Sequence, residues 1–167
     1  MTETNMLDIL KKAILLEHRG RSLYRTAASE TGSEGVKELF NTLADEEDNH
    51  IETLNRQYKS IAKGGGFEVT DLLEIKDNGD NGVLSGKIVK GISGAGYEAA
   101  VIAAALDFEE KAVGFYSKQA ETAVSDDEKK LFQWLADWEK GHMTMLAQID
   151  KDLMESIWYD NSFWPLD

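Results

Sequence analysis

The sequence predicts an all-α protein, a four-helix bundle built from a duplicated helical hairpin with a long crossover connection. Three observations carry that prediction. The one proline, Pro165, stands almost at the C-terminus, so no proline interrupts a helix between Met1 and Trp164. Four stretches repeat apolar residues at helical spacing. Those stretches are related in pairs by a constant offset of 92 positions.

The first stretch, Leu7 to Ser29, places Leu7, Leu10, Ile14, Tyr24 and Ala28 on one face, with Glu17 where a leucine is expected. Thr31, Gly32 and Ser33 break it. The second begins near Glu34 and carries Val36, Phe40, Leu43, Glu47, His50 and Leu54, spaced alternately by four and three residues as one buried seam requires. The third, Tyr97 to Thr122, carries Ile102, Ala105, Leu106, Glu109, Val113, Tyr116 and Ala120. Ser125-Asp126-Asp127-Glu128 then reads as a capped helix start. The fourth seam is Phe132, Leu135, Glu139, His142, Leu146, Ile149 and Leu153.

The offset of 92 carries Glu17 onto Glu109, Glu47 onto Glu139 and His50 onto His142. It also pairs Ala13 with Ala105, Tyr24 with Tyr116, Ala28 with Ala120, Phe40 with Phe132 and Leu43 with Leu135. Between the halves, residues 63–96 hold nine of the fourteen glycines and form a connector. Its length implies short elements of its own, over Asp71 to Lys76 and Val83 to Ile92. A second helix over about 35–62 would be roughly 40 Å long, a span the connector can cross. Two hairpins joined that way give the ferritin-like arrangement rather than an up-down-up-down bundle.

At 167 residues and 42% hydrophobic, the chain has the size and apolar content of a single domain, residues 1–167, able to bury its own core. A formal charge of −13 repels phosphate backbones and anionic membranes, so neither nucleic acid nor membrane is an expected partner. The acidic surface serves solubility first and attraction of cations second. Absence of cysteine excludes disulfides, thiolate metal sites and iron–sulfur clusters, so redox work requires something bound. With no basic region followed by an apolar run at the N-terminus, the expected location is the cytoplasm.

Residues three apart on a helix lie about 60° from each other, so Glu47 with His50, and Glu139 with His142, can each act as a chelating pair. One such pair occurs by chance on many solvated helices; two in register within apolar seams do not share that explanation. Four carboxylates and two imidazoles in a core cost heavily unless something neutralises them. Two divalent ions balance four glutamates. The expected metal ligands are therefore Glu17, Glu47, His50, Glu109, Glu139 and His142, the donor set of di-iron and di-manganese carboxylate bundles. Glu46 and Glu110 are turned about 100° from the seam and read as solvated surface acids. His18 lies off the seam, at the surface or behind the ligands. Tyr24 and Tyr116 follow Glu17 and Glu109 by two turns, so their hydroxyls either approach the ligands or serve the core. Trp134 and Trp138 lie beside the seam and suggest packing against the connector or another subunit.

In the phrases LADEEDNHIETL, EEKAVGFYSKQA and LADWEKGHMTML the chain resembles the rubrerythrins of the ferritin-like superfamily. The resemblance covers the four helices. It implies a di-iron site that reduces hydrogen peroxide, with the six residues above as iron ligands and Tyr24 and Tyr116 behind them. Two departures bear on activity. Rubrerythrins typically carry a further carboxylate three residues after the third-helix glutamate, where Ala112 stands here, with Gly20 as its repeat equivalent. They also carry a cysteine-rich electron-delivering domain, and this sequence has no cysteine. The plainer six-ligand form resembles that used by bacterioferritins for iron oxidation, although Asp48 replaces their haem-binding methionine.

The leading expectation is a non-haem di-iron oxidoreductase acting on peroxide or dioxygen, with electrons from a separate donor protein. The alternatives are a ferroxidase or iron-binding and storage protein, and a structural or sensory bundle loaded with zinc or manganese. The aromatic tail, Ile157-Trp158-Tyr159 and Phe163-Trp164-Pro165-Leu166, suggests a homodimer.

Overall fold

The computed structural model describes residues 3–72, 88, 89, 92 and 96–159. Four helices make up the bundle: α1 (Glu3–Glu30), α2 (Glu34–Ala62), α3 (Tyr97–Thr122) and α4 (Asp126–Trp158). The described residues contain no strand. Most of the connector elements expected over Asp71 to Lys76 and Val83 to Ile92, and the tail from residue 160, lie outside the described residues.

Local chemistry sets the helix ends. Ser33 caps α2, its hydroxyl accepting from Val36 N at 3.5 Å. Ser125 caps α4 by accepting from Glu128 N at 3.2 Å, while Glu128 reaches back to accept from Val124 N at 3.0 Å. At the end of α2 the chain turns through Gly64, whose φ of +77° is cheap only for glycine. Buried Gln57 then clamps the start of the connector, donating to Glu68 O at 2.7 Å and accepting from Glu68 N at 2.8 Å.

α1 pairs with α2 and α3 with α4, and the two hairpins approach each other through α1 and α3. Their inner faces carry Ala13, Glu17 and Tyr24 on α1 and Ala105, Glu109, Ala112 and Tyr116 on α3, all buried. Ile14 and Val113, placed on the seams by periodicity alone, are only partly buried.

The core divides into two clusters. One gathers the C-terminal part of α1, the start of α2, the start of α3 and the later half of α4, with Tyr24, Phe40, Leu43, Ile102 and Leu146 at its centre. The other gathers the opposite ends, around Leu10, Leu54, Tyr116, Phe132 and Leu135. Each fully buried large side chain contributes about 1.5–3 kcal/mol. The repeat is visible in the packing: Tyr24 stacks on Phe40 at 5.8 Å and Tyr116 on Phe132 at 6.3 Å. The grouping of helix ends fixes α1 and α3 as antiparallel and α2 and α3 as parallel. Phe67, Val69 and Leu72, at the start of the connector, pack on the second cluster, and Ile88, Val89 and Ile92 on the first. The connector thus leaves one end of the bundle and arrives at the other, the ferritin-like topology.

Candidate metal centre

Between the two clusters, at the waist of the bundle, Glu17, Glu47, His50, Glu109, Glu139 and His142 are all at most 3% exposed. Each helix delivers its residues by the seam position they occupy. α1 and α3 supply one glutamate each, and α2 and α4 supply a glutamate and a histidine one turn apart.

The six fall into two groups that share two members. Glu17, Glu47, His50 and Glu139 offer ligand atoms within 4.8 Å of one another, and so do Glu47, Glu109, Glu139 and His142. Glu47 and Glu139 belong to both. His50 Nδ1 lies 3.0 Å from Glu17, 3.3 Å from Glu47 and 3.2 Å from Glu139. His142 Nδ1 lies 3.4 Å from Glu109, 3.3 Å from Glu139 and 3.9 Å from Glu47. Glu139 turns Oε1 to His50 and Oε2 to His142, and Glu47 likewise divides its two oxygens between them. The imidazoles face each other with ring centroids 6.1 Å apart.

Two tyrosines cross the waist. Tyr24 on α1 donates its hydroxyl to Glu109 on α3, and Tyr116 on α3 donates to Glu17 on α1. Each half thereby holds the single glutamate of the other. His18, by contrast, pairs with Arg21 at 3.0 Å, and Arg21 with Asp48 at 2.6 Å, on the outer side of α1 and α2. Glu110 is exposed.

The expectation that Glu46 is a solvated surface acid is corrected. Its carboxylate is 20% exposed and accepts a hydrogen bond from His142 Nε2 at 2.7 Å. α2 faces both α1 and α4, so a residue turned 100° from its seam toward α4 remains inside. The missed signal is its place immediately before Glu47 on a helix with two buried neighbours. Trp134 and Trp138, expected against the connector or another subunit, meet His50 edge-on at 5.5 and 5.6 Å and wall the site. On the other side Phe108 leans over Gly20, where an added Cβ would stand 2.8 Å from the ring and 3.3 Å from Glu47 Oε1.

Electrostatics report what such a cluster does with protons alone. Burial and the charges of Glu139 and Glu17 push the Glu47 carboxyl well up. Burial and the Glu139 charge push Glu109 up to about 8, against the pull of His142. Burial opposes a charged His50, but the nearby Glu139 charge and the hydrogen bond to Glu17 win and push it up to about 10. His142 is raised by Glu109, Glu139 and Glu46 over the same burial. Glu139, between the two imidazoles, is held well below the usual carboxylate range despite burial. Protons therefore take the place of positive charge at the waist. They do so incompletely: Glu47 Oε1, Glu109 Oε2, both Glu139 oxygens and His142 Nδ1 are buried without a hydrogen-bond partner. Those orphaned atoms are what two cations would satisfy, and the oxygen and imidazole donor set suits iron, manganese or zinc.

A buried, shared carboxylate–histidine donor set inside a crossover bundle is the arrangement of dinuclear carboxylate proteins. The rubrerythrin family profile matches residues 8–150, and the chain belongs to that family. Membership implies iron binding. A solved structure of similar fold, a hypothetical protein from Pyrococcus furiosus, is 24% identical, with 90% of each chain covered and a TM-score of 0.64. At that identity the likeness speaks for the fold. No curated protein matches the chain. Among the described residues no helix is long and apolar enough to cross a membrane.

Proposed function

We propose that this protein is a non-haem di-iron oxidoreductase that reduces hydrogen peroxide with electrons from a separate donor protein. The observation that carries the reading is the sharing of Glu47 and Glu139 between two four-residue donor groups. In this reading Glu17 and His50 would hold one ion and Glu109 and His142 the other, with Glu47 and Glu139 available to both. Two ferrous ions, when bound, supply the two electrons and the Lewis acidity that cleavage of an O–O bond requires. The overall change consumes one peroxide, two electrons and two protons and yields two waters.

The chain's own residues prepare that chemistry. Tyr24 pins Glu109 Oε1 and leaves Oε2 free, and Tyr116 pins Glu17 Oε1 while Oε2 faces His50. Burial first, and the neighbouring glutamates next, raise both phenols, so each keeps its proton beside the reacting space. The stacked Phe40 and Phe132 and the indoles of Trp134 and Trp138 keep bulk water from the waist. With no cysteine in the chain, the electrons that restore the reduced state come from another protein.

A second reading, ferroxidase activity with iron binding or storage, is favoured by one position. Ala112 is buried at 1% exposure where rubrerythrins typically carry a further carboxylate. A site with fewer carboxylates has fewer ways to rearrange its ligands as iron changes oxidation state. Stopped-flow oxidation of the diferrous protein separates the readings. Faster reaction with peroxide than with dioxygen, and turnover with an added reductant, is expected. Equal or faster reaction with dioxygen, with accumulation of many irons per chain, transfers the assignment to the second reading. Glu109→Ala is the control: full iron occupancy and unchanged rates in that variant would refute the ligand assignment itself.

A further inference from the structure

The repeat relating the two halves breaks beside the ligands. The offset of 92 that superimposes every expected ligand carries Glu46 onto Trp138. Glu46 accepts from His142 Nε2 at 2.7 Å, which fixes that ring with Nδ1 directed at Glu109 and Glu139. In the other half the indole of Trp138 stands edge-on 5.6 Å from His50, with Trp134 at 5.5 Å. An indole nitrogen only donates, so it gives His50 no acceptor. His50 Nε2 is buried and has no hydrogen-bond partner among the described residues, and neither has Trp138 Nε1.

We propose that the two metal positions are inequivalent: Glu46 makes the Glu109/His142 position the tighter one and the first to fill, and Trp138 leaves the Glu17/His50 position weaker. The inference rests on reading the site as a metal centre. An imidazole bound to a cation through one nitrogen becomes a stronger donor at the other. A carboxylate that accepts this bond fixes the tautomer and raises the basicity of the ligand. Loss of such a partner typically costs about 10- to 100-fold in metal affinity. His50 keeps Nε2 buried and unsatisfied whether or not an ion is present, so its ring is held from the Nδ1 side and by packing, with no acceptor behind it. Glu46 also adds negative charge on the His142 side, for which Trp138 has no counterpart. Glu46 is a positioning residue in this account, since it acts through His142.

Calorimetric titration of the metal-free full chain with Zn(II), which removes redox chemistry from the question, tests the inference. Wild-type protein is expected to take up two ions in steps about tenfold or more apart. Glu46→Ala should weaken the first step by about 10- to 100-fold and leave the second, so that the steps merge. Glu46→Gln, whose side-chain oxygen can still accept from Nε2, should recover part of the loss. Trp138→Glu, which installs the missing carboxylate, should tighten the second step, an effect that loss of packing alone does not produce. Circular dichroism checks that each variant keeps its helices; if Trp138→Glu does not, the two Glu46 variants decide. Two ions bound with indistinguishable affinity, or steps unchanged in a folded Glu46→Ala, overturn the inference while leaving the metal centre standing. No zinc uptake by the wild type overturns both.

Discussion

Raising the pH of the metal-free protein should destabilise it across a range where most proteins change little. The perturbation acts on protons held at the waist. An unfolded histidine releases its proton near 6.5, whereas folded His50 keeps it to about 10. Its contribution to stability is therefore fully present below 6.5 and lost as pH rises toward 10. Glu109 has the same sign: the unfolded carboxyl ionises near 4.5 and the folded one near 8, so the fold holds an extra proton between those values. Raised Glu47 and His142 act in the same direction. Glu139, held low, works oppositely and matters only as pH falls below 4.5. Each extra proton gives a slope of about 1.4 kcal/mol per pH unit, so roughly 2–3 kcal/mol per unit is expected between 6.5 and 8, where the windows of His50 and Glu109 overlap. For a chain of this size that lowers the melting midpoint by roughly 4–12 °C per unit, a large share of the 5–15 kcal/mol that holds a typical domain together. The assay is thermal unfolding of chelator-treated protein by circular dichroism between pH 6 and 9. Saturating Zn(II) should reverse the trend, because ligands must lose those same protons to bind and metal stabilisation grows with pH. A metal-free midpoint that is flat or rising from pH 6.5 to 8 would refute the reasoning.

Three further outcomes are expected. Tyr24→Phe leaves buried Glu109 Oε1 without its donor and should cost about 1–3 kcal/mol of stability in the metal-free protein, read by urea unfolding; Tyr116→Phe should behave alike through Glu17, and no loss in either would mean the crossing bonds are not formed. Ser125→Ala, which removes the cap of α4, should cost about 1 kcal/mol with no change in zinc stoichiometry, checked by urea unfolding and calorimetry. Trp158 and Tyr159 are 69% and 79% exposed at the end of α4, so light scattering should find a homodimer; a monomer at high micromolar concentration would place that surface elsewhere.

The bundle was legible because its signals are long. Apolar seams over four helices, a single terminal proline and a constant offset specify hairpins, their duplication and a crossover without reference to any contact. The six residues that meet at the waist were legible for a related reason, since charged side chains interrupt the seams at matching positions in both halves. Glu46 was not, because angular distance from a seam measures exposure only for a helix with one buried neighbour. Trp134 and Trp138 escaped for the same reason: which flank of α4 faces α2 is decided by packing, not by α4's own sequence. Ile14 and Val113 read as core because hydrophobicity, not size, sets the periodicity. The residues buried beside them are instead the small Ala13 and Ala112. Phe163-Trp164-Pro165-Leu166 lies outside the described residues, so its part in assembly rests on composition.

The position of the donor groups between two separate apolar clusters has a mechanical consequence. Leucines, phenylalanines and stacked tyrosines hold the ends of the bundle, whereas at the waist the described groups are chiefly carboxylates, imidazoles and two phenol bonds, both joining α1 to α3. α2 and α4, which carry the glutamate–histidine pairs, are joined there by Glu46 to His142 at 2.7 Å and by His50 to Glu139 at 3.2 Å, polar ties among side chains several of whose buried atoms lack a hydrogen-bond partner. Without ions, the segments around Glu47 to Ile51 and Glu139 to Met143 are therefore where local opening should cost least. Zinc, by drawing both pairs onto shared cations, should slow amide exchange there more than around Leu10, Phe40 or Phe132. A ligand that merely raised global stability would instead slow every globally exchanging amide by one factor. Hydrogen exchange with and without zinc distinguishes the two. Equal slowing throughout all four helices would mean the waist is as firmly packed as the ends.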